Sequence, residues 1–77
     1  MQKRISALRR EIYRYNAERL AEGEELMSQR RLAELTGLDK TTVNRHARLP
    51  GTIKASQLVL YAKALRCPVE DLVEGES

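Results

Sequence analysis

The chain has a single cysteine, Cys67, a single histidine, His46, two prolines, and neither phenylalanine nor tryptophan. One cysteine excludes an intramolecular disulfide, and one cysteine with one histidine gives no ligand set for a structural zinc. The lack of a cysteine framework suits a reducing compartment, so the chain is read as cytoplasmic. No apolar run approaches the ~18 residues that cross a bilayer, and the opening Met-Gln-Lys-Arg lacks the apolar stretch of a secretion signal. There is no Gly-rich phosphate loop, no metal-ligand cluster, and no nucleophile matched with a histidine and an acid. An enzyme is therefore not expected, nor is a cofactor or a small-molecule ligand. At 77 residues the chain reads as one domain, 1–77, with a small core that depends on good helix packing or on a partner.

The net charge is only +3, but its distribution is uneven. Residues 1–19 carry six bases against two acids, and residues 28–54 again six against two. Residues 20–27 hold three Glu and no base, and a short acidic tail, 74–77, follows Glu70 and Asp71. A basic middle fits a polyanion against one face, with the tail turned away from it. Charge alone is better served by a mixed solvated surface.

Apolar residues recur at helical spacing nearly throughout, and nowhere with period two, which predicts an all-α fold of five helices. The first covers about residues 4–21. Ile5, Leu8, Ile12 and Tyr15 share one face, and Tyr13, Ala17, Leu20 and Ala21 form an adjoining stripe, so burial on more than one side is expected. Gly23 ends it. Ser28 caps a second helix, 29–36, and Gly37 stops it by supplying positive φ. Asp39 caps a third, 40–48, where its charge suits the helix N-terminus. Leu49-Pro50-Gly51 makes a turn. A fourth helix, 53–65, places Ala55, Leu58, Val59, Ala62 and Leu65 inward, and Pro68 opens a last short helix, 69–73.

The informative stretch is 28–48, two short helices meeting at a tight turn. Ala33 is small where the helices approach, Gly37 makes the turn, Leu38 fills the wedge between them, and Val43 anchors the inner face of the third helix. Its outer face is then Lys40, Thr41, Asn44, Arg45 and Arg48, at spacings of three, four and seven. These are donors with no acid among them. Arg and Lys pair with guanine O6 and N7, and Asn with adenine N6 and N7, so the face has the chemistry of a major-groove reader. Arg48 and Lys54 flank the Pro50-Gly51 turn and are read as phosphate contacts, as is Thr42.

Taken together, Ser28-Gln29, Leu32-Ala33, Gly37-Leu38, Val43, Leu58, Tyr61-Ala62, Ala64-Leu65 and the run Val69 to Leu72 resemble the phage-repressor type of helix-turn-helix domain (Cro/CI, also called Xre). The resemblance extends over about residues 12–74. It implies a lambda-repressor-like fold, binding of double-stranded operator DNA, a homodimer on that DNA, and transcriptional regulation, most often repression. It also implies that Lys40, Thr41, Asn44 and Arg45 occupy base-reading positions, and that Gln29 touches a phosphate and braces the recognition helix. Three features depart from the pattern. His46 replaces an apolar residue, Arg66 stands where glycine often ends the fourth helix, and the link 21–27 is long.

The other singled-out residues have plainer readings. His46 is expected half-buried and hydrogen-bonded to backbone or water, rather than a pH sensor. Cys67 is a small core residue rather than a redox switch. Tyr13, Tyr15 and Tyr61 pack in the core with hydroxyls at the surface, rather than stacking on bases. Arg30 and Arg31 open the second helix against its dipole, which either a nearby phosphate or a solvated surface explains. Ile5, Leu8, Ile12 and Tyr15 approach a heptad seam, so that face lies either against a second copy or over the fourth and fifth helices. The competing function is a protein-interaction module, antitoxin-like or adaptor, on the same scaffold. Such a module would expose apolar anchors on the third helix, where this chain shows Lys, Thr, Asn and Arg.

Overall fold

The helix boundaries follow from where the backbone finds partners for its terminal N–H and C=O groups. A computed structural model describes residues 6–73. Four α-helices run through them, α1 Ala7–Ala21, α2 Gln29–Thr36, α3 Lys40–Arg48 and α4 Ala55–Leu65. Short 3-10 turns stand at Pro50–Thr52 and Val69–Leu72, and no strand occurs among the described residues. The expected five helices are thus four α-helices with a closing 3-10 turn. The turn ends at Leu72, because Val73 is already extended at φ −77°, ψ 132°.

Ser6 is extended and its Oγ accepts from the Arg9 N–H at 3.2 Å, so α1 starts at Ala7 rather than at residue 4. Arg4, Ile5 and the tail 74–77 lie outside the described residues. Gly23 takes φ 72° just past the end of α1, as its position suggested. The fourth helix starts two residues later than its apolar spacing implies. Ile53 is extended and its N–H reaches the Pro50 carbonyl at 3.2 Å, while Gln57 Oε1 accepts the Lys54 N–H at 2.9 Å, which makes Lys54 the cap. At its far end Arg66 adopts φ 55°, a left-handed conformation in which Cβ crowds the carbonyl and glycine is free of strain.

The core gathers Leu8 from α1, Met27, Leu32 and Ala33 around α2, Val43 and Ala47 from α3, Tyr61, Ala62 and Leu65 from α4, and Leu72 from the closing turn. Leu38 and Cys67 pack against it half-buried, as a wedge and a small filler should. Burying a leucine such as Leu32 contributes roughly 1.5–3 kcal/mol, so a few side chains decide whether so small a domain folds.

One face of α1 covers this core: Leu8 is buried, and Ile12 and Tyr15 pack beside it. Among the described residues the heptad-like seam therefore lies inside the domain and not against a second copy. The adjoining stripe is not buried. Tyr13 is 53% and Leu20 69% exposed, and Ala17 and Ala21 are open too. Another side of α1 is held by charge. Glu11 is buried and accepts from Arg14 Nε at 2.6 Å, Arg14 also pairs with Glu18 at 2.8 Å, and its Nη2 donates to the Leu65 carbonyl at 3.2 Å. Arg14 thus closes an end-carbonyl of α4, and the flanking carboxylates hold its guanidinium more firmly protonated than usual. Arg10 Nη2 donates to the Asp71 carbonyl at 3.1 Å and fastens the closing turn to α1.

Candidate nucleic-acid interface

Two caps set the angle between α2 and α3. Ser28 is extended and its Oγ accepts from the Arg31 N–H at 3.0 Å, which starts α2 at Gln29. Gly37 takes φ 78° and its N–H returns to the Ala33 carbonyl at 2.9 Å, which stops it. Thr36 Oγ1 donates to the Leu32 carbonyl at 2.8 Å and accepts from the Leu38 N–H at 3.3 Å, so a buried hydroxyl bridges helix end and turn. Asp39 occupies the cap of α3 by backbone alone. Its carbonyl accepts from Val43 N–H at 3.0 Å, but its carboxylate makes no capping bond, contrary to expectation.

The two faces of α3 separate cleanly. Val43, His46 and Ala47 are buried, while Lys40, Thr41, Asn44, Arg45 and Arg48 are exposed and Thr42 is half-buried. Gln29, the first residue of α2, is half-buried beside them, and Asn44 Nδ2 donates to its Oε1 at 3.2 Å. Arg48 Nε donates in turn to Asn44 Oδ1 at 3.2 Å. The structure therefore brings Gln29, Asn44 and Arg48 into one chain of hydrogen bonds. Lys54 is exposed at the start of α4, beyond the Pro50–Thr52 turn.

Charge sorts itself in the same way. Ion pairs engage Arg10, Arg14 and Arg19 on α1 and Arg31 on α2. Among the described residues none engages Lys40, Arg45, Arg48 or Lys54, so the α3 side presents cations that no acid among the described residues neutralises. No group of three His, Cys, Asp or Glu side chains stands together there or elsewhere among the described residues.

Sequence reading missed what holds the inner face of α3. His46 is 1% and Tyr61 0% exposed, and the Tyr61 hydroxyl and His46 Nδ1 share a 2.8 Å hydrogen bond, with the rings edge to face at 5.7 Å. The histidine is thus fully buried and bonded to a side chain rather than to backbone or water, and the Tyr61 hydroxyl is not at the surface. Burial, aided by the charge of Arg45, lowers the His46 pKa, and burial pushes the phenol of Tyr61 up to about 12. Both are neutral near pH 7, and the pair ties α3 to α4. Its one sequence signal is a lone histidine at an inner helical position, three residues after Val43.

The profile of the Cro/C1-type helix-turn-helix DNA-binding domain matches residues 23–76, most of the chain. The chain belongs to this family. Comparison with curated proteins and with solved structures gives no match. Membership in the Cro/C1-type family makes double-stranded DNA the ligand of the domain. No described helix is long and apolar enough to cross a membrane.

Proposed function

We propose that this Cro/C1-type domain is a sequence-specific transcription regulator in the cytoplasm, acting as a repressor by occupying its operator. In this reading α3 enters the major groove with Lys40, Thr41, Asn44 and Arg45 toward base edges, and Gln29, Thr42, Arg48 and Lys54 toward phosphates. The supporting observation is the outward face of α3, five exposed donor-bearing side chains with no acid among them and no ion pair among the described residues. An interaction module would need apolar anchors on that face, and it carries none; the exposed Leu49 lies past the helix end.

One such helix contacts few base pairs, so the regulator binds as a two-fold dimer, with half-sites about 34 Å apart on one side of the duplex. Because Leu8, Ile12 and Tyr15 pack internally, the dimer contact lies elsewhere than on the α1 seam. Selection of bound sites from random duplex DNA tests the reading. A palindromic consensus with that spacing is expected. Enrichment of no sequence would reject specific recognition, and an unpaired half-site bound with 1:1 stoichiometry would reject the dimer.

A further inference from the structure

The cations of α1 are not equivalent. Arg10 holds Glu11 and the Asp71 carbonyl, Arg14 holds Glu11, Glu18 and the Leu65 carbonyl, and Arg19 holds Glu22 and Glu24 and lies 5.0 Å over the Tyr15 ring. The exposed Arg9 makes no side-chain ion pair or hydrogen bond among the described residues. The tyrosines divide likewise. Tyr15 lies beneath Arg19 and Tyr61 holds His46, but Tyr13 is 53% exposed and its hydroxyl has no partner among the described residues.

Arg9 and Tyr13 are one helical turn apart on one face of α1, so the spare guanidinium and the spare phenol are neighbours. They border a cleft of about 220 Å³ whose further walls include Asn16, Gln29 and Ala47, and no acid lines it. Two contacts fix this cleft to the helix-turn-helix. Asn16 Nδ2 donates to the Met27 carbonyl at 3.1 Å and Asn16 Oδ1 accepts the Met27 N–H at 2.6 Å, which holds the chain entering α2 against α1. Ser6 Oγ donates to the Ala47 carbonyl at 3.2 Å, which holds the start of α1 against the last turn of α3.

The geometry points to a phosphate-binding site on α1, formed by Arg9 and Tyr13, that grips the DNA backbone on the Gln29 side of the recognition helix. This inference rests on the reading that α3 enters the groove, and it adds a contact outside the helix-turn-helix. A guanidinium and a phenol hydroxyl are both donors to an anionic oxygen, and Tyr13 adds a rigid surface with little rotamer freedom to lose. Arg48 and Lys54 hold the backbone beyond the last turn of α3, and Arg9 with Tyr13 hold it on the α1 side of that same turn.

The test uses the selected operator duplex and the full chain. Log affinity is measured against log salt for wild type, Arg9→Ala, Arg9→Lys, Tyr13→Phe and, as a control away from this cleft, Lys63→Ala. Arg9→Ala is expected to bind roughly tenfold more weakly and to make the slope shallower by about 0.9, the loss of one phosphate contact. Arg9→Lys keeps the slope, and Lys63→Ala matches wild type. Phosphate-ethylation interference is expected to show one position per half-site that disappears in Arg9→Ala and weakens in Tyr13→Phe, with melting temperatures unchanged because both side chains are exposed. A wild-type slope and interference pattern in Arg9→Ala would overturn the inference while leaving DNA recognition by α3 standing. If wild type bound no duplex at all, the DNA reading itself would fail.

Discussion

Replacing Tyr61 by Phe removes one oxygen atom and leaves the ring in place. In the native domain that oxygen stands 2.8 Å from His46 Nδ1, and neither residue is more than 1% exposed. Tyr61→Phe therefore leaves a buried ring nitrogen without its partner, which costs about 1–3 kcal/mol. With an unfolding entropy of about 2.1 cal/mol/K per residue, that is a fall in melting temperature of roughly 6–18 °C for a chain of this length. His46→Leu orphans the hydroxyl instead and should cost a comparable amount. The double variant removes both polar groups, so it should cost clearly less than the two singles together, with a coupling of about 1–2 kcal/mol. Urea and thermal unfolding followed by circular dichroism at pH 7.5 measure the four proteins. Acid adds an independent check. The folded His46 pKa lies below its ordinary value, so the unfolded chain takes up a proton that the native state resists. Stability is then full above about pH 6.5 and falls as the pH drops toward the native value. His46→Leu should flatten this arm. A Tyr61→Phe variant within about 0.3 kcal/mol of wild type, or strictly additive singles, would refute the reasoning.

Other perturbations follow from the same geometry. Arg66→Gly should raise stability by about 1 kcal/mol in denaturant unfolding, since it relieves the left-handed strain at φ 55°; a loss would show that the Arg66 side chain holds the helix end. Val43→Ala, at a 0% exposed site, should lower stability by roughly 2 kcal/mol through lost burial and a residual cavity, while the folded fraction keeps its preferred site. Arg45→Ala should cost roughly 1–3 kcal/mol on the matched duplex and relax preference at one base pair. Arg48→Ala should weaken matched and scrambled duplexes about equally and lower the salt slope by about one. Fluorescence titration of both duplexes at several salt concentrations separates the two arginines, and equal behaviour would erase the division between reading and positioning.

Local chemistry made the central unit legible. Ser28 and Gly37 bound α2 because a side-chain acceptor and a positive φ are requirements of single positions, visible without neighbours. The two faces of α3 follow from a 3.6-residue period applied to Val43, His46 and Ala47 on one side and to polar residues on the other. The start of α4 was less legible because Ile53 keeps the apolar spacing, while the Pro50–Thr52 turn captures its N–H. Tyr13 and Leu20 looked buried because an apolar stripe does not show whether a partner element covers it, and among the described residues none does. The His46–Tyr61 bond joins residues fifteen positions apart, and the Arg14–Leu65 bond residues fifty-one apart, beyond any local period. Arg9 looked like every other arginine of α1 until the partners of Arg10, Arg14 and Arg19 were known.

The central claim is that the outward face of α3 recognises the DNA. Changing Lys40, Asn44 and Arg45 together to Ala tests it most directly, because all three are exposed and none carries the core. Affinity of the triple variant for the selected operator should fall to the level of scrambled duplex, with the helical spectrum and the unfolding midpoint retained. Undiminished preference for the operator in a folded triple variant would contradict the claim and would give first place to an interaction module built on the same scaffold.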